Sequence, residues 1–128
     1  MIRELTFVFG FTLLPQAALA AGCGAGDFEM LTLTPTVEDD CIQSPCKRYK
    51  LVGEVRNNCR KSAGVKIQIV GRDKSGKAIA SWSGWPASIS NISPGATFVF
   101  DFGPAFDYDK RIVTFVAQPI EAQTWKAN

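Results

Sequence analysis

The sequence predicts an all-β protein, built as an antiparallel β-sandwich of six or seven short strands. Three observations indicate this fold class. Short runs of residues alternate between apolar and polar side chains, which is the period of a half-buried strand. Turn-forming Gly, Pro, Asn and Asp residues interrupt these runs every 8 to 14 residues. No stretch shows a convincing helical period, and no internal repeat or linker divides the chain.

The first two strands are predicted over 28–36 (FEMLTLTPT) and 48–57 (RYKLVGEVRN). Strict alternation assigns the side chains of each strand to two opposite faces. In the first strand one face carries Phe28, Met30 and Thr32, and the other carries Leu31 and Leu33. In the second strand one face carries Leu51, Gly53 and Val55, and the other carries Val52, Glu54 and Arg56. The polar segment between them contains Pro45 and is predicted to be a loop. The two strands therefore form an antiparallel hairpin with a long connection.

Four further strands are predicted at 65–70, 78–85, 97–102 and 111–121. The first two of these are joined by the turn DKSGK, in which Gly76 accepts a positive φ at low cost. The connection to the third contains a Pro-Gly turn at 94–95. This spacing of strands and turns is typical of a β-sandwich.

The four cysteines of the chain permit three disulfide pairings: Cys23, Cys41, Cys46 and Cys59. A strand between Cys46 and Cys59 would span about 30 Å, whereas the Cα atoms of a disulfide lie within about 7 Å. An antiparallel hairpin instead brings the start of its first strand beside the end of its second. We therefore predict a Cys23–Cys59 bond that holds the N-terminus to the sheet, and a Cys41–Cys46 bond that closes a short loop.

Residues 1–20 have the pattern of an export signal. Arg3 precedes the apolar run LTFVFGFTLLP, and small residues ending in Ala-Leu-Ala at 18–20 form a signal-peptidase site. The apolar run is shorter than the roughly 20 residues that a membrane-spanning helix needs. The prediction is a cleaved signal peptide and a single domain over 21–128 in the periplasm or outside the cell. The alternative is an uncleaved N-terminal anchor.

A second alternative is lipidation of Cys23, because the segment LAAGC at 19–23 resembles a bacterial lipoprotein site. Such a site usually carries Leu three residues before its cysteine, and here that position is Ala20. Acylation of Cys23 would also leave three cysteines, an odd number for an exported protein. Both features favour a disulfide bond at Cys23 over lipidation of Cys23.

The chain resembles the FxLYD domain family over about 70 of its 128 residues. The matching positions are Gly53, Val55, Asn57, Val65, Ile67, Ile69, Asp73, Gly76, Lys77, Pro94, Gly95, Phe98 and Phe100. The motif that names the family is degenerate, because residues 69–73 read IVGRD and only Asp73 matches. The resemblance implies an immunoglobulin-like sandwich of an exported bacterial protein, without catalytic residues.

Composition argues against several classes of function. The chain has no histidine, and its net charge is +2 with or without the signal, since the signal contains only Arg3 and Glu4. We therefore expect no nucleic-acid binding, no catalytic machinery and no cofactor. Neither the cysteine spacing nor the acidic segment at 38–40 has the pattern of a metal site, so no metal is expected.

The aromatic residues are the best candidates for a binding surface. Trp82 and Trp85 lie three positions apart, so in a straight strand they point to opposite faces. We predict that Trp82 is a core residue and that Trp85 is exposed, because Gly84 and Pro86 indicate a chain leaving the sheet. The candidate surface comprises Trp85, Phe102, Phe106 and Tyr108. The alternative is that these rings fill the core.

These observations predict an exported, non-catalytic protein-binding or assembly module of the bacterial cell envelope. Its partner is expected to be another envelope or extracellular protein, which adds a strand to an exposed sheet edge. One alternative is a carbohydrate-binding module that uses the exposed aromatics. A second alternative is a hydrolase without a recognisable motif.

Overall fold

The computed structural model describes residues 22–39 and 46–126, which form two antiparallel three-stranded sheets. The strands are β1 (Phe28–Asp39), β2 (Lys47–Asn57), β3 (Gly64–Arg72), β4 (Ala78–Gly84), β5 (Thr97–Asp107) and β6 (Thr114–Gln123), preceded by a 3₁₀ turn at Ala25–Asp27. The strand order is β1-β2-β5 in the first sheet and β4-β3-β6 in the second. The all-β prediction and its six named strands are confirmed.

The core lies between the sheets and follows from alternation in the two central strands. Leu51 and Val55 of β2 and Ile67 and Ile69 of β3 are fully buried. Their intervening neighbours are partly exposed and mostly polar, as expected for strands with one face inward. Burying each of these aliphatic side chains stabilises the fold by about 1.5 to 3 kcal/mol.

The first strand departs from strict alternation at one position. It pairs residue for residue with β2 up to Met30 and again from Thr32, so Leu31 is an extra residue, a β-bulge. A bulge moves the later side chains to the opposite face. Leu33 therefore packs against the core together with Met30, and Thr32 is exposed. The prediction that Thr32 shares a face with Met30 is wrong for this reason.

The predicted Cys23–Cys59 disulfide is present, with its Cα atoms 5.8 Å apart. It joins the segment before β1 to the turn after β2, as the antiparallel hairpin requires. Since the Sγ atom of Cys23 is bonded to Cys59, it is not open to the acylation considered as an alternative. Cys41 lies outside the described residues, and with it the predicted Cys41–Cys46 bond. The predicted signal peptide at 1–20 also lies outside them.

Asn57, at the end of β2, is a buried polar residue that joins two loops. Its Nδ2 donates hydrogen bonds to the carbonyl oxygens of Lys61 at 2.9 Å and Ile92 at 2.7 Å. Its Oδ1 accepts a hydrogen bond from the backbone N–H of Cys59 at 2.7 Å. These bonds hold the disulfide turn against the loop that leads to β5, and they satisfy a polar side chain that would otherwise be costly to bury.

The two lateral sides of the sandwich differ. On one side β1 lies against β6, whereas on the other side β4 and β5 approach each other less extensively. The contact between β4 and β5 includes Trp82 and Phe102, whose ring centroids are 4.3 Å apart. We call the lateral side formed by β4 and β5 the open side. In the described part of the chain, no helix is long and apolar enough to cross a membrane.

Candidate functional site

The strand β4 differs from the other edge strands in composition. Its sequence, AIASWSG, contains neither proline nor a charged residue. Each other edge strand contains one proline and acidic residues: Pro35 with Glu29, Glu38 and Asp39 in β1, Pro104 with Asp101 and Asp107 in β5, and Pro119 with Glu121 in β6. Proline and charge are the usual means by which an edge is protected from pairing with another chain. Among the described edges, β4 is the one without either.

The pairing of β4 with β3 determines which of its side chains face the core. Ala80 lies opposite Gly71 and Trp82 lies opposite Ile69, both on the inner face. Ser81 and Ser83 alternate with them and are exposed. The side chains on the outward face of β4 are therefore small, polar and uncharged.

A cleft of about 420 Å³ lies on the open side, where the ends of β4 and β5 approach the loop before β6. We call it the β4–β5 cleft. Its apolar lining consists of Ile79, Ala80, Ala105, Phe106 and Ile112. Phe106 and Ile112 are buried and the other three are half-buried, so the cleft reaches the edge of the core. Its volume is within the range of small ligand pockets.

The rim of the cleft is polar, and its Arg48 and Asp107 side chains form an ion pair. Arg48 Nη1 lies 2.9 Å from Asp107 Oδ1, with 20% of the Arg48 side chain exposed. The ring of Tyr108 is 42% exposed and packs against the ring of Tyr49, with 5.4 Å between centroids. The ammonium group of Lys47 lies 5.7 Å from the Tyr108 centroid. The rim therefore offers an aromatic ring, the Arg48–Asp107 ion pair and the ammonium group of Lys47 beside the ring.

The loop at 108–113 forms part of the rim, and two side-chain contacts help to hold it in place. The hydroxyl of the buried Tyr49 donates a hydrogen bond to the carbonyl oxygen of Asp109 at 2.8 Å, and burial raises the pKa of Tyr49. Arg111 Nη2 lies 2.7 Å from Asp109 Oδ2. Hydrogen bonds from the Arg111 side chain and backbone lower the pKa of Asp109 to about 2, so this carboxyl group is ionised at neutral pH.

The same loop also lines a second hollow, of about 390 Å³. Its lining residues are Asp73, Lys74, Lys110, Arg111 and Val113. The carboxylate of Asp73 is occupied within its own turn, where it accepts hydrogen bonds from the backbone N–H groups of Ser75 and Lys77. A hydrogen bond from the Ser75 hydroxyl, together with these backbone bonds, lowers the pKa of Asp73. The lining of this hollow therefore carries three cationic side chains and one carboxylate, whereas Arg48 and Asp107 form an ion pair at the β4–β5 cleft.

The four aromatics predicted to form one surface are divided among three places. Phe106 and Tyr108 line the β4–β5 cleft, although Phe106 is only 6% exposed and belongs to the core. Phe102 packs against Trp82. Trp85 is half-buried and meets Trp125 edge to face, with centroids 5.4 Å apart. The predictions that Trp85 is exposed and that Phe106 is a surface residue are corrected here, because each packs against another aromatic ring.

The Trp85–Trp125 pair is a structural contact. The side-chain amide of Asn91 donates a hydrogen bond to the carbonyl of Trp125 at 2.9 Å and accepts one from its N–H at 2.9 Å. The indole of Trp125 lies over Gly64, where an added Cβ would be 2.6 Å from its Nε1 atom. These contacts hold the segment after β6 against the sheet. The Trp85 ring therefore packs against this segment rather than forming a binding surface.

The two tryptophans of β4 and its flank should therefore differ in their effect on stability. We expect Trp82→Ala to lower the free energy of unfolding by about 2 to 3 kcal/mol, because its ring fills the contact with Phe102 and lies against Gly84. Trp85→Ala should cost about 1 kcal/mol, since its partner Trp125 remains attached through Asn91. Urea denaturation of both variants measures the difference. Equal losses would contradict this assignment.

The described residues contain no cluster of three or more side chains suited to hold a metal ion. No protein family model, no curated protein and no solved structure matches the chain. What this protein binds is therefore inferred from its own residues and geometry.

Sequence reasoning found Phe106 and Tyr108 but missed most of the cleft. Ile79, Ala80 and Ala105 have ordinary strand side chains, and their position beside a gap depends on how the two sheets meet. The composition of β4 was a usable signal, because AIASWSG is the one edge-strand sequence of the described chain without proline or charge.

Proposed function

We propose that this protein is a non-catalytic binding or assembly module that accepts an extended segment of another envelope protein as an added strand on β4. The observation that carries the proposal is the composition of β4, an edge strand without proline or charge. The other three edges contain both. Since these protections oppose strand addition, the contrast favours β4 as the edge that receives a partner.

Strand addition suits the chemistry of this edge. An edge strand has backbone N–H and C=O groups that do not pair within its sheet, and an extended peptide can satisfy them. Ser81 and Ser83 on the outward face carry no charge that would repel a partner strand. The open side beside β5 leaves space for the partner's inward side chains.

The proposed location is the bacterial periplasm or the extracellular space. The signal-peptide pattern at 1–20 supports export, and the Cys23–Cys59 disulfide is typical of oxidising compartments. The proposal also includes the immunoglobulin-like class and membership of the FxLYD family. The sequence pattern around Asn57 and the two-sheet architecture support that part.

The test compares two pairs of added charges on different edges. The double variant Ser81→Lys, Ser83→Lys, called the β4 variant, adds two charges to β4. The double variant Thr97→Lys, Val99→Lys, called the β5 variant, adds two charges to β5. All four positions are exposed. We expect wild-type protein and the β5 variant to capture a partner from an envelope fraction, and the β4 variant to lose it. The partner is then identified by mass spectrometry and purified.

The purified partner allows a direct readout. Amide hydrogen exchange should slow in β4 when the partner binds, and the amides of the outer strand β1 should be unchanged. Thermal melts of both lysine variants establish that each is folded. Capture that is equally strong with the β4 variant, or exchange protection on another edge, would show that β4 is not the binding strand.

The carbohydrate-binding alternative has less support. A sugar platform needs exposed rings on a shared surface, and the four candidate aromatics are divided among three contacts. Tyr108 alone combines substantial exposure with a place on the cleft rim. A peptidoglycan pull-down with wild-type protein and Tyr108→Ala tests this alternative, and loss of binding in the variant would favour it.

A further inference from the structure

We propose that the β4–β5 cleft receives one bulky, uncharged, apolar side chain of the added strand, at the position directly opposite Ala80. This inference rests on the proposed strand addition to β4 and specifies which partner segments fit. The occupant is an extended protein segment with alternating side chains. Its anchor residue is leucine, isoleucine, methionine or phenylalanine.

The position of the anchor follows from strand register. Residues directly opposite one another in paired strands have side chains on the same face of the sheet. Ala80 faces inward, opposite Gly71, and it lines the cleft. A partner residue opposite Ala80 therefore points inward on the open side, toward the space between β4 and β5.

The residues beside that position are small. Ala80 on β4 and Ala105 on β5 line the cleft with methyl side chains, and larger apolar groups lie around them: Ile79, Phe106 and Ile112. A bulky apolar side chain would cover surface at the edge of the core that is otherwise open to solvent. Removing such surface from water is favourable in proportion to its area.

The electrostatics of the rim select an uncharged anchor. The guanidinium of Arg48 is paired with Asp107, and the carboxylate of Asp109 is paired with Arg111. A cationic anchor would lose hydration beside Arg48 and Lys47 without gaining a lone counter-charge, and an acidic anchor would find only the Lys47 ammonium, which lies over the Tyr108 ring, so an uncharged anchor is favoured. The neighbouring partner positions, which face outward beside Ser81, meet a polar surface and can be hydrophilic.

The probe is a phage-displayed library of random linear peptides of about ten residues, selected on immobilised wild-type protein with an intact disulfide. Enriched peptides are synthesised and their affinities measured by calorimetry. We expect sequences with apolar residues at alternate positions, including one bulky residue. Their binding should be abolished by the Ser81→Lys, Ser83→Lys pair and retained by the Thr97→Lys, Val99→Lys pair.

A matched pair of leucine substitutions tests the cleft itself. Ala80→Leu adds a side chain that fills the cleft, whereas Ala78→Leu makes the same change at an exposed position of the same strand, opposite Arg72. We expect Ala80→Leu to weaken the selected peptides by about tenfold or more, which corresponds to about 1.4 kcal/mol. Ala78→Leu should change their affinity by less than about twofold.

Two further measurements separate the outcomes. If the Ala80→Leu variant does not fold, Ala105→Leu is used in its place, because it fills the cleft from β5. Selection repeated on the filled variant should give peptides with a small residue at the anchor position. If peptides bind at β4 but tolerate both fillings, the anchor inference is overturned and strand addition stands. If no peptide depends on β4, the anchor inference fails together with the proposed function.

Discussion

Removing the Cys23–Cys59 disulfide should lower the free energy of unfolding by about 3 to 4 kcal/mol. The bond joins residues 36 positions apart, so it restricts a long segment of the unfolded chain that includes the whole β1–β2 hairpin. A domain of this size has limited core, and this loss is a large fraction of its total stability. The measurement is urea denaturation of the Cys23→Ser, Cys59→Ser double variant beside wild type.

The matched control is Cys41→Ser. Its predicted partner, Cys46, is close in sequence, so the closed loop is short and the expected loss is smaller. Peptide mapping of the non-reduced wild-type protein checks the pairing directly. A Cys46–Cys59 peptide would contradict the structure, and an unchanged denaturation midpoint in the double variant would contradict the stability argument.

Asn57→Ala should lower the free energy of unfolding by about 3 kcal/mol or more. The Asn57 side chain is fully buried and makes hydrogen bonds with the backbone of Lys61, Ile92 and Cys59. Alanine removes all three bonds and leaves the carbonyl of Ile92 buried, and the carbonyl of Lys61 and the N–H of Cys59 partly buried, without the Asn57 partner. Each buried group left without a partner costs about 1 to 3 kcal/mol, although the effects are not additive.

The neighbouring residue provides the control. Asn58 is exposed, and its side chain donates one hydrogen bond to Glu29 Oε1 at 3.1 Å. Asn58→Ala should therefore change stability by no more than about 0.5 kcal/mol. Asn57→Asp should be nearly as damaging as Asn57→Ala, because a carboxylate cannot donate to the two carbonyl groups and would be buried with its charge. Similar denaturation midpoints for the variants at positions 57 and 58 would refute this role of Asn57.

Local sequence patterns determined the strands. The alternation in 48–57 and 65–70 identified the buried residues of β2 and β3, because a side chain's face in a strand depends on odd or even position alone. The same reasoning failed after Leu31 in β1. A bulge is decided by how a strand fits its partner, and FEMLTLTPT contains no glycine or proline at that point to indicate one.

The candidate site could be predicted only in part. Tyr108 was identified as a candidate from its aromatic side chain, and it lies on the cleft rim. Trp85 and Phe102 were grouped with it because they are aromatic, yet their nearest rings are Trp125 and Trp82. Ring contacts join residues far apart in the chain, so composition and spacing do not reveal which aromatics share a surface.

The six strands, the antiparallel β1–β2 hairpin and the Cys23–Cys59 bond could all be predicted from the sequence. These features depend on periodicity and on the reach of short chain segments, which are local quantities. That β5 pairs with β2 while β4 pairs with β3, so that the consecutive strands β4 and β5 belong to different sheets, is evident only from the three-dimensional structure. That arrangement leaves β4 as an edge and places Ala80 and Ala105 on either side of the cleft. Sheet pairing and packing depend on contacts between residues distant in the chain, and their free energies are set by the whole core rather than by any single strand.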